Sequence, residues 1–101
     1  MSKVYIPFMP KFKDPMLSGI KIWTSRSRYM GNVGDWFDAF GTTFDIIETR
    51  RMVLFNVIVN HWEEEGFESP EDMIETWETI HPVAGYVPDK KVCVHIFKRR
   101  V

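Results

Sequence analysis

Residues 18–28 of the chain, Ser-Gly-Ile-Lys-Ile-Trp-Thr-Ser-Arg-Ser-Arg, combine a lysine, a threonine and two arginines. The apolar residues among them are good strand formers, and they predict a strand that packs into a core. Charged groups near a core are costly unless they are paired or used. Two interpretations stay open at this point. Lys21, Arg26 and Arg28 either reach solvent from an exposed strand face or line a site.

A carboxylate about forty residues further along is the candidate partner of these cations. Three consecutive glutamates, 63–65, end a predicted helix. At about 100° per residue only Glu65 continues the apolar stripe through Ile58 and Trp62, so its carboxylate is directed toward the core. A core-facing carboxylate needs a cation or hydrogen-bond donors, which the lysine and arginines can supply. The alternative is that the helix frays before Glu65 and the side chain turns to solvent near Gly66.

A lysine, a threonine and a glutamate in one pocket are sufficient for amide hydrolysis. Desolvation lowers the pKa of a lysine, so Lys21 could act as a base that activates the Thr24 hydroxyl as nucleophile. Glu65 would relay protons or orient the lysine, while Arg26 or backbone N–H groups would stabilise the oxyanion. Residues 21 and 24 face opposite sides of a regular strand. They can share a pocket only if Lys21 precedes the strand or a bulge intervenes.

The bulk properties predict one small ordered domain over residues 1–101. Hydrophobic residues make up 45% of the chain, which excludes a disordered tail. No apolar stretch approaches the roughly 18 residues of a membrane span. The single cysteine, Cys93, cannot form an internal disulfide, so we expect a cytoplasmic location. The three histidines and Cys93 lack zinc-ligand spacings, and no metal or other cofactor is expected.

Charge is unevenly distributed, although the net charge is only −1. Residues 1–28 carry six basic side chains and one acidic one, and residues 90–101 carry five basic ones. Residues 63–78, in contrast, carry eight carboxylates and no lysine or arginine. The basic ends could meet a phosphate, or they could be solvated surface without a partner. The near-neutral total excludes a protein that coats nucleic acid through bulk positive charge.

The order of predicted elements indicates an α+β fold. Strands are predicted at 4–8, 20–26, 36–40, 43–54 (one long strand or a pair) and 92–97, and helices at 14–17, 54–65 and 69–80. Two adjacent helices before the last strand, with one short N-terminal helix, favour a small β-barrel of five to six strands. The expected buried faces of the longer helices are Phe55, Ile58, Val59 and Trp62, and then Met73, Ile74, Trp77 and Ile80.

Three motifs have a spacing typical of a known family. They are Gly19-x-Lys21-x-x-Thr24-x-Arg26, the turn Gly34-Asp35, and Glu65-Gly66-Phe67. Together they resemble the ASCH domain family, relatives of the PUA-like RNA-binding barrels, over residues 8–97. The resemblance implies a PUA-like barrel as the fold.

The resemblance also implies an activity. Small stand-alone members of about this length include amidohydrolases that remove acetate from acetylcytidine with a proposed lysine, threonine and glutamate. The implied catalytic residues are Lys21, Thr24 and Glu65, and the expected substrate contacts are Trp23, Arg26 and Arg28. The substrate would be acetylcytidine or a related acylated nucleoside, and the partner a modified nucleoside or RNA. Other members are described as RNA-binding modules or nucleases, so a non-catalytic RNA- or nucleotide-binding module is the alternative.

Overall fold

The computed structural model describes residues 1–101, which form three α-helices and one four-stranded sheet. The elements are, in chain order, a 3₁₀ turn at Pro10–Phe12, α1 at Lys13–Leu17, β1 at Trp23–Arg26, β2 at Trp36–Ala39, β3 at Thr42–Val53, α2 at Leu54–His61, α3 at Pro70–Ile80 and β4 at Lys91–Arg99. All strand pairs are antiparallel in the order β1-β4-β3-β2, which leaves β1 with one free edge. The α+β class, with two adjacent helices before the last strand, is confirmed. No helix is both long and apolar enough to cross a membrane.

The sheet curls because its two longest strands do not pair evenly. Residues 43–54, predicted as one strand or a pair, belong almost entirely to the single strand β3. Its register with β4 shifts between Ile46 and Glu48, where Ile47 is an extra residue. An extra residue bends the strand and increases the local twist. The curled sheet forms a half-barrel of PUA-like shape.

Alternation along β4 gives the sheet a core on each face. Val92, Val94 and Ile96 pack with α2 and α3, whereas Phe97 packs on the opposite face. The helix-side core also contains Trp23, Leu54, Val57, Ile58, Met73 and Trp77. The opposite core contains Ile6, Phe12, Met16, Phe37, Phe44 and Ile46. Because the N-terminal residues cover that second face, β4 is buried on both sides.

The predicted strand at 4–8 is wrong, so the sheet has four strands rather than five to six. The N-terminal segment makes one isolated parallel bridge, between Lys3 and Trp36, and Val4 N–H donates to Trp36 O at 2.8 Å. Pro7 works against continued pairing because proline has a fixed φ and no N–H to donate. The segment instead runs on as irregular chain that covers the second core.

The helix predicted at 54–65 is shorter than expected, and of the four residues predicted on its buried face only Ile58 is buried, while Trp62 is half-buried against the helix-side core. α2 ends at His61. Its buried residues are Leu54, Val57 and Ile58, and its exposed ones include Phe55 and Val59. The run 53–59 is apolar at almost every position, so the 3.6-residue period does not select one face. In α3, Met73 and Trp77 are buried as predicted, whereas Ile80 is exposed.

His95 joins β4 to β1 and to the loop that follows β1. The ring is fully buried, and Nε2 accepts from Met30 N–H at 2.9 Å. Nδ1 lies 3.3 Å from Thr24 O and donates to it. These two contacts require the neutral ring with its proton on Nδ1. Burial lowers the pKa of His95, against the raising effect of the Thr24 carbonyl.

Acid is therefore expected to destabilise the fold through His95. Because the folded-state pKa is lowered, the contribution of the neutral ring is fully present above the unfolded value of about 6.5 and is lost as the pH falls through the folded value. Urea titrations should show the free energy of unfolding falling below about pH 6.5. His95→Phe should lower the free energy of unfolding at pH 7.5, because two backbone groups lose their partner. In this variant the free energy of unfolding should also fall less steeply as the pH is lowered. An unchanged slope in the variant would contradict this role.

Candidate functional site

The main pocket lies beside the free edge of β1 and has a volume of about 570 Å³. Its walls are formed by residues 7–12, by β1 with residues 27–30, and by α3. Five of the six predicted site residues line it: Lys21, Thr24, Arg26, Arg28 and Glu65. A pocket of this volume is of the size that takes a small-molecule ligand.

Lys21 lies two residues before β1 begins, so its direction does not follow the alternation of the strand. Its backbone N–H donates to Pro15 O at 2.9 Å, which ties it to α1. The next two backbone N–H groups both donate to Glu64 O, at 2.8 and 2.9 Å. This irregular backbone lets Lys21 line the same pocket as Thr24, which meets the geometric condition that the sequence imposes.

The Lys21 amine is almost completely buried, with 2% of the residue exposed. Nζ donates to the backbone oxygens of Trp23 and Glu65 at 2.7 and 2.6 Å, and it lies 3.7 Å from Glu65 Oε1. Burial lowers the pKa of Lys21 to about 8, against the raising effect of the Glu65 carboxylate. A neutral amine has two N–H donors, which match the two carbonyls, and one lone pair that is left for proton transfer.

Glu65 is buried, as predicted, although α2 has already ended. Residues 62–66 form a turn in which Glu65 N–H donates to His61 O at 3.0 Å. That bond has the spacing of an α-helix, so the Glu65 side chain still follows the helical period. The carboxylate consequently points inward beside Lys21.

Thr24 and Arg26 share one face of β1 and are hydrogen-bonded to each other. Arg26 Nε donates to Thr24 Oγ1 at 3.0 Å, and Nη2 donates to Pro7 O at 2.7 Å. The guanidinium carbon lies 5.0 Å from the centre of the Phe8 ring. Burial lowers the pKa of Arg26, against the raising effect of Glu65. The Thr24 hydroxyl hydrogen has no protein acceptor, and Thr24 is not hydrogen-bonded to Lys21.

Ser25 is a pocket residue that the sequence patterns did not single out. Its Oγ donates to Glu65 Oε2 at 2.6 Å, and both side chains are buried. This bond fixes the carboxylate, because the 3.7 Å between Lys21 Nζ and Oε1 is beyond hydrogen-bond range. A second hydroxyl directly after Thr24 was the only signal in the sequence. The Ser25 hydroxyl proton is therefore hydrogen-bonded to Glu65, whereas the Thr24 hydroxyl proton has no acceptor in the protein.

The remaining two predicted substrate contacts lie in different places. Arg28 follows β1, is exposed at the rim of the pocket and makes no hydrogen bond or ion pair with the protein. Trp23 is buried in the helix-side core and stacks on the His61 ring, with 4.2 Å between ring centres. Trp23 does not line the pocket.

Trp77 of α3 and His81, the residue that follows this helix, form an aromatic part of the pocket wall. The rings of Trp77 and His81 stack at 4.3 Å, and both line the pocket. Ser69 caps this helix as predicted from its position, since Ser69 Oγ accepts from Asp72 N–H at 3.0 Å. Lys11 links the wall to the N-terminal segment by donating to Thr76 Oγ1 at 2.5 Å. No group of three or more His, Cys, Asp or Glu side chains is placed to hold a metal ion.

Comparison with known proteins identifies the fold. No family model and no curated protein sequence matches the chain. The hypothetical protein PH0355 has a similar crystal structure, with a TM-score of 0.71 and 13% identity over 99% of this chain and 100% of that one. An ASCH domain from Lactobacillus crispatus JV V101 has a TM-score of 0.61 and 14% identity, over 97% of this chain and 78% of that one. The chain has an ASCH-like fold. At these identities the likeness concerns the fold alone, and the site is described by its own geometry.

Gly66 lets the turn after α2 of this ASCH-like fold approach Lys21 closely. Its φ is +88°, and a Cβ there would stand 2.6 Å from Lys21 Cβ and 2.9 Å from Lys21 Cγ. We expect Gly66→Ala to lower the free energy of unfolding by more than the roughly 1–2 kcal/mol that a left-handed conformation costs a non-glycine residue. The excess would come from displacing the lysine.

Gly41→Ala is the matched control for this substitution. Gly41 also has a positive φ, +74°, but nothing lies within 4 Å of its Cβ position. Denaturant titrations of both variants separate the backbone effect from the contact with Lys21. Equal losses in the two variants would show that this contact does not hold the lysine in place.

Proposed function

We propose that the protein hydrolyses the acyl amide of acetylcytidine or of a related acylated nucleoside. The observation that carries the proposal is the burial of Lys21, which lowers its pKa to about 8 in the same pocket as the Thr24 hydroxyl and the Glu65 carboxylate. A lysine with a pKa near 8 is a usable base close to neutral pH, whereas an ordinary lysine is not.

In the first step the proton of the Thr24 hydroxyl is transferred. Neutral Lys21 Nζ takes the proton from Thr24 Oγ1, and Oγ1 attacks the carbonyl carbon of the amide. Arg26 already donates to Thr24 Oγ1, so it favours negative charge on that oxygen and contacts the substrate or its oxyanion. The Lys21–Thr24 hydrogen bond would form when the substrate binds, since such bonds commonly tighten in the complex.

The second step releases the nucleoside and restores the enzyme. The C–N bond of the tetrahedral intermediate breaks as Lys21 gives the proton that it took from Thr24 to the leaving amine nitrogen, either directly or by relay through Glu65. Ser25 keeps the Glu65 carboxylate in place for this relay. Water then hydrolyses the ester on Thr24, which frees acetate and regenerates the hydroxyl. This sequence needs no cofactor.

A non-catalytic module that binds a nucleotide or RNA is the second candidate. It is favoured by one observation, that Arg26 and Arg28 line the pocket without a carboxylate partner. In that case Lys21, Thr24 and Glu65 would hold the ligand without changing it.

Incubation of the purified protein with acetylcytidine, followed by chromatography of cytidine, tests the first candidate. We expect Thr24→Ala and Lys21→Ala to reduce turnover by about 10²–10⁴-fold, because each removes a proton-transfer partner. Thr24→Ser should keep part of the activity, since the hydroxyl remains. Thr79→Ala, at an exposed threonine of α3 outside the pocket, is the matched control and should keep full activity.

The outcomes separate the two candidates. Retained activity in Thr24→Ala or Lys21→Ala, with circular dichroism like that of the wild type, would exclude the mechanism. Binding of the nucleoside without any turnover by the wild type would favour the binding module.

A further inference from the structure

The ionisable side chains that line the pocket do not cancel one another. Lys21 and Glu65 form one pair, and no other carboxylate lines the pocket. Arg26 and Arg28 therefore leave it with two positive charges in excess, although the whole protein has a net charge of −1.

The Arg26 guanidinium has no carboxylate among its hydrogen-bond partners. Its side chain is half-buried, and its contacts are all with uncharged groups: the Thr24 hydroxyl, the Pro7 carbonyl and the Phe8 ring. Nη1 has no hydrogen-bond partner in the protein. Burial disfavours the charge of this guanidinium, and the Glu65 carboxylate offsets only part of that effect. A ligand that brings negative charge would stabilise the guanidinium further.

The acidic residues nearby do not supply the missing charge. Of the eight carboxylates in residues 63–78, only Glu65 lines the pocket. α3 turns its apolar face to the pocket and its glutamates to solvent. Its aspartate, Asp72, lies 3.7 Å from Lys11 Nζ and pairs with that cation instead. The nearby carboxylates therefore do not neutralise Arg26 and Arg28 within the pocket.

We propose that Arg26 and Arg28 form an anion subsite, and that the ligand of this pocket carries a phosphate group. The inference rests on the proposed function, because phosphate is the anion that a nucleoside carries in nucleotides and nucleic acids. Guanidinium groups bind phosphate oxygens through paired N–H donors. Arg28 is exposed, so it can turn to the phosphate without breaking a hydrogen bond or an ion pair. A nucleoside monophosphate and a phosphodiester of a nucleic acid strand share this chemistry.

Titration calorimetry at low salt tests the subsite with four probes: cytidine, cytidine 5′-monophosphate, inorganic phosphate, and the trinucleotide CpCpC without terminal phosphates. We expect the monophosphate to bind at least about tenfold more tightly than cytidine, and inorganic phosphate to compete with it. Arg28→Gln and Arg26→Gln should each reduce the monophosphate-to-cytidine ratio to below about threefold. Since Arg28 is exposed and makes no hydrogen bond or ion pair with the protein, its substitution should leave the fold unchanged.

Arg51→Gln is the matched control, because Arg51 is an exposed arginine of β3 outside the pocket and should leave the ratio unchanged. Tighter binding of CpCpC than of the monophosphate would identify a nucleic acid strand as the source of the phosphate, and the reverse order a mononucleotide. Equal affinities for cytidine and its monophosphate, no binding of the monophosphate, or a ratio that survives both substitutions would overturn the subsite. These titrations measure binding and need no turnover. They therefore test the subsite even if the protein does not hydrolyse acetylcytidine.

Discussion

A lysine amine enclosed by aromatic rings and one carboxylate is the constraint on which the pocket depends. Nζ of Lys21 lies 4.4 Å from the centre of the Phe12 ring, and 5.9 and 5.8 Å from those of Phe8 and Phe67. Two backbone carbonyls and the Glu65 carboxylate replace the water that these rings exclude. Burial of an ion opposes folding. The same burial lowers the pKa of Lys21 to about 8 and gives the pocket its chemistry.

Contacts between distant parts of the chain maintain this arrangement. Glu64 O accepts the two N–H groups that precede and begin β1, and so joins that segment to the turn after α2. Gly66 allows the same turn to approach the lysine, and Ser25 holds the carboxylate from β1. His95 fixes β1 from the side of β4. Because each contact depends on tertiary packing, the site exists only in the complete fold.

The buried pair could be predicted from the sequence, whereas its surroundings could not. Lys21 stood out as a charge among strand formers, and Glu65 as the glutamate in phase with the helix. Glu65 keeps its helical position because helical hydrogen bonding continues one turn beyond α2. In contrast, the apolar run 53–59 fits more than one helix face. The role of Ser25 could not be predicted, because it depends on a residue forty positions away. The helical period predicted that Met73 and Trp77 of α3 are buried, but it did not show that a pocket lies against this face or that only Glu65 among the carboxylates of residues 63–78 lines it.

The proposed chemistry requires that the fold turns Lys21 into a base near neutral pH. NMR titration of the side-chain amine in lysine-labelled protein, with Lys21→Arg to assign the signal, measures this directly. We expect a midpoint near pH 8 in the wild type. We expect a lower midpoint in Glu65→Gln, because loss of the carboxylate leaves the effect of burial less opposed. A midpoint near the ordinary lysine value of 10.5 would show that burial does not make Lys21 a base near neutral pH.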